Sequence, residues 1–156
     1  MASLASTAET IYFGYGSNLW LHQMAQRCPN ATYLGIARLN NYRWNISPRG
    51  YANVVESSNS TTSTNSTYTP TSDYVYGLVY SLTPDDESRL DRNENVPVAY
   101  TKEDLPTDFW PMKDDDNDGK PEWTDVSKKP ERKKMLVYID RKRTEDSKPK
   151  TEYIYR

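Results

Sequence analysis

A loop near the start of the chain has the residue types that hold a small anionic group. The apolar and aromatic run from Ile11 to Phe13 predicts a strand, and it leads directly into Gly14-Tyr15-Gly16-Ser17-Asn18. Two glycines around one residue let the backbone take positive φ angles and bring peptide N–H groups close to a ligand. Ser17 or Asn18 can cap the helix predicted after the loop, and a helix N-terminus attracts anions and oxyanions. A turn with a purely structural role is the alternative.

Several common kinds of site do not fit this sequence. The loop has no third glycine for a dinucleotide fingerprint and no Gly-Lys-Ser/Thr for a P-loop. The whole chain has one cysteine, Cys28, and one histidine. A disulfide framework, a cysteine-rich zinc site and any catalytic scheme that needs two histidines are therefore excluded.

Two stretches of the sequence resemble the γ-glutamylcyclotransferase family. Tyr12-Phe13-Gly14-Tyr15-Gly16-Ser17-Asn18-Leu19 is similar to its signature loop, in which an apolar strand ends in Tyr-Gly-Ser-Asn-Leu. The stretch from Leu90 to Val96, followed by Tyr100, is similar to the family's helix of pattern Leu-Asp-x-x-Glu-Gly-Val, which supplies a catalytic Glu. Glu94 takes that position, and Asn95 replaces the usual Gly with a residue that tolerates left-handed backbone. Without the resemblance, Glu94 would be interpreted as a solvent-facing side chain.

Further segments are similar to the family in the same order along the chain. They are Gly35–Trp44, with its Ala-Arg-Leu, Tyr74–Tyr80, the late strand Leu136-Val137-Tyr138, and Lys148–Tyr153, with its Pro-x-x-Tyr. The resemblance covers residues 11–100 well and residues 135–155 loosely.

The resemblance implies an intramolecular reaction of γ-glutamyl amino acids or glutathione-derived conjugates. The α-amine attacks the γ-carbonyl, giving 5-oxoproline and a free amine. Glu94 would be the catalytic residue that takes the ammonium proton and returns it to the leaving amine, which favours a pKa raised by burial. Backbone N–H groups from Tyr12 to Ser17 would hold the glutamyl carboxylate and the developing oxyanion. The implied substrate-binding residues are Tyr12, Phe13, Gly14, Tyr15, Gly16, Ser17, Asn18 and Tyr138. No metal, nucleotide or other cofactor is needed.

Three alternatives remain. A non-catalytic member of the same fold would use the loop as a ligand-binding module, although the presence of Glu94 argues against it. The Ser/Thr-rich insert at 57–72, interpreted as a mobile hairpin loop, is alternatively a phosphorylation segment. Five residues fit positions 1, 3, 5, 6 and 12 of a calcium-binding EF-hand loop, but Asp in place of the final Glu and the interrupting Pro121 favour a solvated acidic loop. These five are Asp114, Asp116, Asp118, Gly119 and Asp125.

The elements that must position the loop form one predicted domain. Strands are predicted at 11–13, 31–39, 42–46, 52–56, 73–82 and 135–140, and short helices at 19–27 and 83–93. Thr83 is the predicted N-cap of the second helix, with Pro84 at its first position and acidic residues in its first turn. The pattern indicates an α+β fold, a small mixed β-barrel with flanking helices. Residues 1–10 are expected to be a mobile N-terminal tail, and residues 11–156 a single domain with a polar, acidic loop at 101–134.

The sequence also limits the partners. Its net charge of −2 gives no general attraction to nucleic acid or anionic membranes. The first ten residues lack the basic and apolar segments of a signal peptide, and no apolar run approaches the roughly 20 residues of a membrane-spanning helix. We therefore expect a cytoplasmic protein whose partner is a small-molecule γ-glutamyl substrate, and a homodimer is left open.

Overall fold

The computed structural model describes residues 9–57, 73–112 and 124–151. Within these ranges the chain forms seven strands, two α-helices and a short 3-10 turn. The strands are β1 (Thr10–Gly14), β2 (Thr32–Asn40), β3 (Tyr42–Ile46), β4 (Ala52–Glu56), β5 (Tyr74–Leu82), β6 (Thr101–Pro111) and β7 (Glu131–Ile139). The helices are α1 (Leu21–Arg27) and α2 (Pro84–Asn93), and the 3-10 turn is Ser17–Leu19. In these ranges no helix combines the length and apolar composition that a membrane crossing requires.

Five of the strands close into a barrel in the order β1-β5-β2-β6-β7, while β3 and β4 form a separate antiparallel ribbon. Four of the barrel pairings are antiparallel. The barrel closes where β1 runs parallel to β7, with Tyr12 opposite Leu136. This mixed barrel with flanking helices confirms the α+β class predicted from the sequence.

Neighbouring side chains of β1 enter two different cores, because successive residues of a strand point to opposite faces. Phe13 is fully buried with Val79 in a cluster that draws residues from all five barrel strands, so it lies in the barrel interior. Tyr12 joins a second cluster, which packs the barrel wall against the two helices through Met24 and Leu90. The side of the barrel that faces the helices therefore carries Tyr12.

Helix α2 begins and ends as predicted. Thr83 is its N-cap, and the Thr83 hydroxyl accepts a hydrogen bond from the Asp86 N–H at 3.2 Å. The first turn carries Pro84 and acidic side chains, which the positive end of the helix dipole stabilises. The helix ends at Asn93, so Glu94 becomes its C-cap.

The prediction of a polar loop over 101–134 is wrong at both ends of that region, which belong to β6 and β7. The sequence does not indicate these strands because they are rich in charged residues. Ion pairs with other elements stabilise these charged residues at the barrel surface. Lys102 of β6 pairs with Glu87 of α2, and Asp108 pairs with Arg38 of β2. The charges are satisfied between elements, so they do not prevent strand formation.

Several predicted segments lie outside the described residues. These are the N-terminal tail up to residue 8, the Ser/Thr-rich insert at 58–72, the acidic stretch at 113–123 and residues 152–156. Of the expected tail, Glu9 is described, and Thr10 already belongs to β1.

Candidate functional site

A cavity of about 180 Å³ lies beside the glycine loop, where β1, β7, the turn between β3 and β4 and the end of α2 meet. Most of the residues that the resemblance implies line this cavity. They are Tyr12, Tyr15, Gly16, Ser17, Asn18, Glu94 and Tyr138. The fold thus brings the loop and the carboxylate together from distant parts of the chain.

Two residues of the implied set lie elsewhere. Phe13 is fully buried inside the barrel, and Gly14 is the last residue of β1, opposite Leu78 of β5. Both press closely against Gly77, where an added Cβ would lie 2.6 Å from the Gly14 carbonyl oxygen and 2.7 Å from the Phe13 ring. Phe13 and Gly14 therefore support the loop from behind and do not line the cavity.

Ser17 and Asn18 do not cap a helix, contrary to the sequence prediction. After the 3-10 turn the chain is extended at Trp20, so α1 begins only at Leu21 and has no side-chain cap. The Ser17 hydroxyl and the Asn18 amide oxygen instead accept hydrogen bonds from Nη1 of Arg27, at 3.1 and 2.9 Å. Arg27, in the last turn of α1, therefore holds the loop in place.

The loop residues that line the cavity include two with backbone N–H groups left over for a ligand. The N–H groups of Gly16 and Ser17 donate to no acceptor within residues 9–57, 73–112 and 124–151. Neither Gly14 nor Gly16 uses a positive φ; Gly16 has a φ of −119° and a ψ of −127°. Two such N–H groups beside an arginine form a site that suits a carboxylate or an oxyanion.

Glu94 is held at the cavity wall by backbone hydrogen bonds on both sides of it. Its N–H donates to the Leu90 carbonyl at 2.8 Å. Asn95 follows with a φ of 53°, and its carbonyl accepts from the Ala99 N–H at 2.8 Å. Burial raises the pKa of Tyr12 well above its usual range, and the negative charge of Glu94 raises it further. A half-buried carboxylate and a protonated phenol therefore share this side of the cavity.

Packed tyrosines form another part of the wall. Tyr12 stacks on Tyr80 with ring centroids 6.2 Å apart and meets Tyr138 edge-on at 5.7 Å. The Tyr12 hydroxyl accepts a hydrogen bond from Nδ2 of Asn18 at 2.9 Å, so its own proton is available to another acceptor. The Tyr138 hydroxyl donates to Oδ1 of Asp91 at 2.7 Å, which leaves its ring to line the cavity. Burial raises the pKa of Tyr138 as well, so both phenols stay protonated at neutral pH.

A second arginine reaches the cavity from the turn between β3 and β4. The Arg49 guanidinium lies over the rings of Tyr51 and Tyr100, at 5.4 and 5.7 Å from their centroids. The Tyr100 hydroxyl donates to the Ala52 carbonyl at 2.7 Å, which fixes that ring. Among the described residues, no carboxylate forms an ion pair with Arg49 or Arg27.

The sequence matches no protein-family model and no curated protein, whereas solved structures resemble the chain over most of its length. A structure named γ-glutamyl cyclotransferase covers 94% of this chain and 74% of its own, with a TM-score of 0.62 and 18% identity. A yeast γ-glutamyl cyclotransferase specific to glutathione covers 93% and 75%, with a TM-score of 0.56 and 13% identity. An AIG2-like protein from Mus musculus covers 94% and 83%, with a TM-score of 0.53 and 13% identity.

The chain has the γ-glutamyl cyclotransferase fold.

Within this γ-glutamyl cyclotransferase fold, the cavity also contains residues that sequence reasoning did not select. Those with polar or charged side chains include Arg27, Arg49, Tyr51 and Asn93. Tyr100 has a sequence signal, because it follows the stretch around Glu94 that resembles the family. Arg49 has only the weak signal of a basic residue in a Pro-Arg-Gly turn between two strands.

Among the described residues, the cavity lining supplies the Glu94 carboxylate, the guanidinium groups of Arg27 and Arg49, five tyrosine side chains and the backbone of the loop. Across the described ranges, no three His, Cys, Asp or Glu side chains lie close enough together to hold a metal ion. The groups that are present can bind carboxylates and can move a proton within a bound ligand.

Proposed function

We propose that this protein is a γ-glutamyl cyclotransferase, which converts a γ-glutamyl compound into 5-oxoproline and a free amine. One observation carries the proposal: Glu94 lines the same cavity as Gly16 and Ser17, whose N–H groups have no acceptor among the described residues. The fold supports the family of reactions, and the pairing of a carboxylate with these donors supports this reaction.

The loop supplies the anion-binding part of the proposed site. The N–H groups of Gly16 and Ser17 bind the glutamyl carboxylate or the oxyanion that forms at the γ-carbon, and Arg27 adds positive charge beside them. Donors fixed before the substrate arrives stabilise developing negative charge without reorganising during the reaction. Arg27 fixes them through the side chains of Ser17 and Asn18.

Glu94 supplies the proton transfer. It takes a proton from the α-ammonium group, and the resulting amine attacks the γ-carbonyl carbon to form the N–C bond of a five-membered lactam. The amide bond to the leaving nitrogen then breaks as Glu94 returns the first proton to that nitrogen. The ring nitrogen gives up its remaining extra proton to Glu94, which passes it to the released amine, so the lactam is neutral and Glu94 is again a carboxylate. Because the nucleophile and the carbonyl belong to one molecule, the protein mainly has to fold the glutamyl chain and place its amine beside Glu94.

The test is release of 5-oxoproline from a panel of γ-glutamyl dipeptides, glutathione and glutathione adducts. Wild type is compared with Glu94→Gln and with Glu145→Gln, a control at an exposed position outside the cavity. We expect turnover by the wild type and the control, and a loss of roughly 100- to 10,000-fold in Glu94→Gln, the usual contribution of a general acid–base residue.

Two other results would change the conclusion. Turnover that survives in Glu94→Gln contradicts the role of that carboxylate. A wild type that binds γ-glutamyl ligands without turning them over is a non-catalytic ligand-binding module of the same fold.

A further inference from the structure

A tryptophan of the β3–β4 ribbon holds one peptide unit of the glycine loop. The Nε1–H of Trp44, on β3, donates a hydrogen bond to the Tyr15 carbonyl at 2.9 Å. Trp44 is 45% exposed, and it is not among the residues that line the cavity. The bond therefore links the ribbon to the loop from outside the cavity, without placing the indole ring where a ligand would lie.

This bond sets the direction of a backbone donor. The Tyr15 carbonyl and the Gly16 N–H belong to the same peptide unit, which is trans. In a planar trans peptide the C=O and the N–H point in opposite directions. Because the carbonyl points toward the indole, the Gly16 N–H points away from it. Gly16 itself lines the cavity.

The next peptide unit is fixed in a different way. The Gly16 carbonyl accepts a hydrogen bond from the Leu19 N–H at 2.9 Å, and this bond sets the direction of the Ser17 N–H. The backbone of the 3-10 turn forms the bond on its own. Of the two N–H groups that have no acceptor among the described residues, the Gly16 N–H is therefore the one that is oriented by a side chain from another element.

An indole suits this task because its N–H only donates. Gly16 has no Cβ, so the peptide unit before it can rotate to the opposite orientation at little steric cost. A hydroxyl or an amide at the position of the indole would bond to either orientation, whereas an indole N–H bonds only to the carbonyl. The Tyr15 side chain is held separately, because its hydroxyl donates to the Tyr138 carbonyl at 2.6 Å.

We infer that Trp44 is a positioning residue, which orients the Gly16 N–H toward the anion that forms or binds in the proposed reaction. This inference rests on the proposed function. Trp44 acts through the peptide unit between Tyr15 and Gly16. A hydrogen bond to the carbonyl also polarises the peptide, which makes its N–H a stronger donor. A donor that is oriented before the substrate arrives stabilises negative charge without reorganising.

Trp44→Phe removes the donor and keeps an aromatic ring at this exposed position. We expect kcat/KM for 5-oxoproline release to fall about 5- to 10-fold on the substrate that the wild type turns over fastest, the equivalent of one net hydrogen bond. Trp110→Phe is the matched control, because Nε1 of Trp110 donates to the Lys128 carbonyl at 2.6 Å and Trp110 lies outside the cavity lining. This control should keep the wild-type kcat/KM. A wild-type kcat/KM in Trp44→Phe overturns the inference, and so does an equal loss in Trp110→Phe.

Amide NMR spectra distinguish an oriented donor from a general loss of stability. The chemical shift of an amide nitrogen responds to hydrogen bonding at the carbonyl of the same peptide unit. Trp44→Phe should therefore shift the Gly16 amide resonance more than that of Ser17, and Trp110→Phe should leave both in place. An unchanged Gly16 resonance in Trp44→Phe overturns the inference even where kcat/KM falls. Far-UV circular dichroism and thermal unfolding verify that each variant is folded.

Binding measured by calorimetry separates this inference from the proposed function. If the wild type releases no 5-oxoproline from any substrate, the proposed function fails. A wild type that still binds γ-glutamyl-L-alanine, with weaker binding in Trp44→Phe than in Trp110→Phe, supports the orientation of the Gly16 N–H toward an anion. Equal affinities of the two variants, or no binding by the wild type, overturn the inference.

Discussion

The Tyr138 hydroxyl donates a 2.7 Å hydrogen bond to Asp91, which joins the last barrel strand to the helix that ends at Glu94. Asp91 also pairs with Lys102 of β6 at 3.1 Å. The Asp91 carboxylate therefore links β6 and β7 to α2, the helix that positions Glu94. We expect the orientation of Glu94 to depend on the hydrogen bond between Tyr138 and Asp91.

Tyr138→Phe removes this bond and keeps the ring that lines the cavity. We expect a loss of about 1 kcal/mol in the free energy of unfolding, the usual net value of one hydrogen bond, and a lower kcat for 5-oxoproline release. Urea unfolding and steady-state kinetics measure the two effects. Tyr74→Phe is the control, because Tyr74 is exposed on β5. Wild-type values in Tyr138→Phe would mean that the bond does not help to position Glu94.

Alkaline pH should destabilise the protein through its buried tyrosines. Burial raises the pKa of Tyr12 and Tyr138 above the usual value of about 10. In the unfolded chain these phenols lose their protons as the pH rises through about 10, whereas in the folded protein they keep them. The stability from this effect is therefore complete below pH ~10 and falls as the pH rises further.

Urea unfolding between pH 8 and 11.5 measures how steeply the free energy of unfolding falls with pH. Each such tyrosine contributes up to about 1.4 kcal/mol per pH unit to this slope. Tyr12→Phe should reduce the slope, and Tyr74→Phe should leave it unchanged. An unchanged slope in Tyr12→Phe would contradict the raised pKa of Tyr12.

Asn95 occupies the left-handed region directly after Glu94, with a φ of 53°. Alanine there should cost about 1 kcal/mol of stability, because its Cβ disfavours this conformation. Glycine should be tolerated, because it adopts positive φ readily. Thermal unfolding and 5-oxoproline release compare Asn95→Ala with Asn95→Gly. Equal behaviour of the two variants would show that the backbone conformation at this position does not matter.

Arg27 should control the affinity of the loop for substrate. Arg27→Met keeps much of the side-chain length but removes the donors to Ser17 and Asn18. We expect KM to rise about tenfold, since each hydrogen bond from a charged donor contributes on the order of 1 kcal/mol when half-exposed. Arg132→Met, at an exposed position of β7 outside the cavity, is the control. An unchanged KM in Arg27→Met would show that the loop keeps its shape without this contact.

The end of α2 could be predicted because its signals are local. Thr83 and Pro84 start the helix, and Asn95 allows the chain to reverse after Glu94. The strand β6 could not be predicted in this way. Its charged residues are neutralised by partners on other elements, such as Arg38 for Asp108, and a single stretch of sequence does not contain those partners.

The same limit applies to the cavity. Ser17 and Asn18 are residue types that commonly cap helices, but their side-chain oxygens instead accept hydrogen bonds from Arg27, which lies at the far end of α1. Arg49 reaches the cavity because its turn packs against Tyr100 from a distant segment. The position of Arg49 depends on how the β3–β4 ribbon packs against the barrel. The spacing of residues in the sequence does not indicate this packing.

Closure of the barrel between β1 and β7 has a consequence for the timing of biosynthesis. The Tyr15 hydroxyl and the Tyr138 carbonyl, 2.6 Å apart, are separated by 123 residues of chain. At about 5 to 20 residues per second, a ribosome needs roughly 6 to 25 s to add that length. During this interval β1 lacks at least one of its two barrel neighbours, β5 and β7, and its open edge can pair with another nascent chain. A pause in translation before β7 would therefore increase aggregation without changing the finished protein.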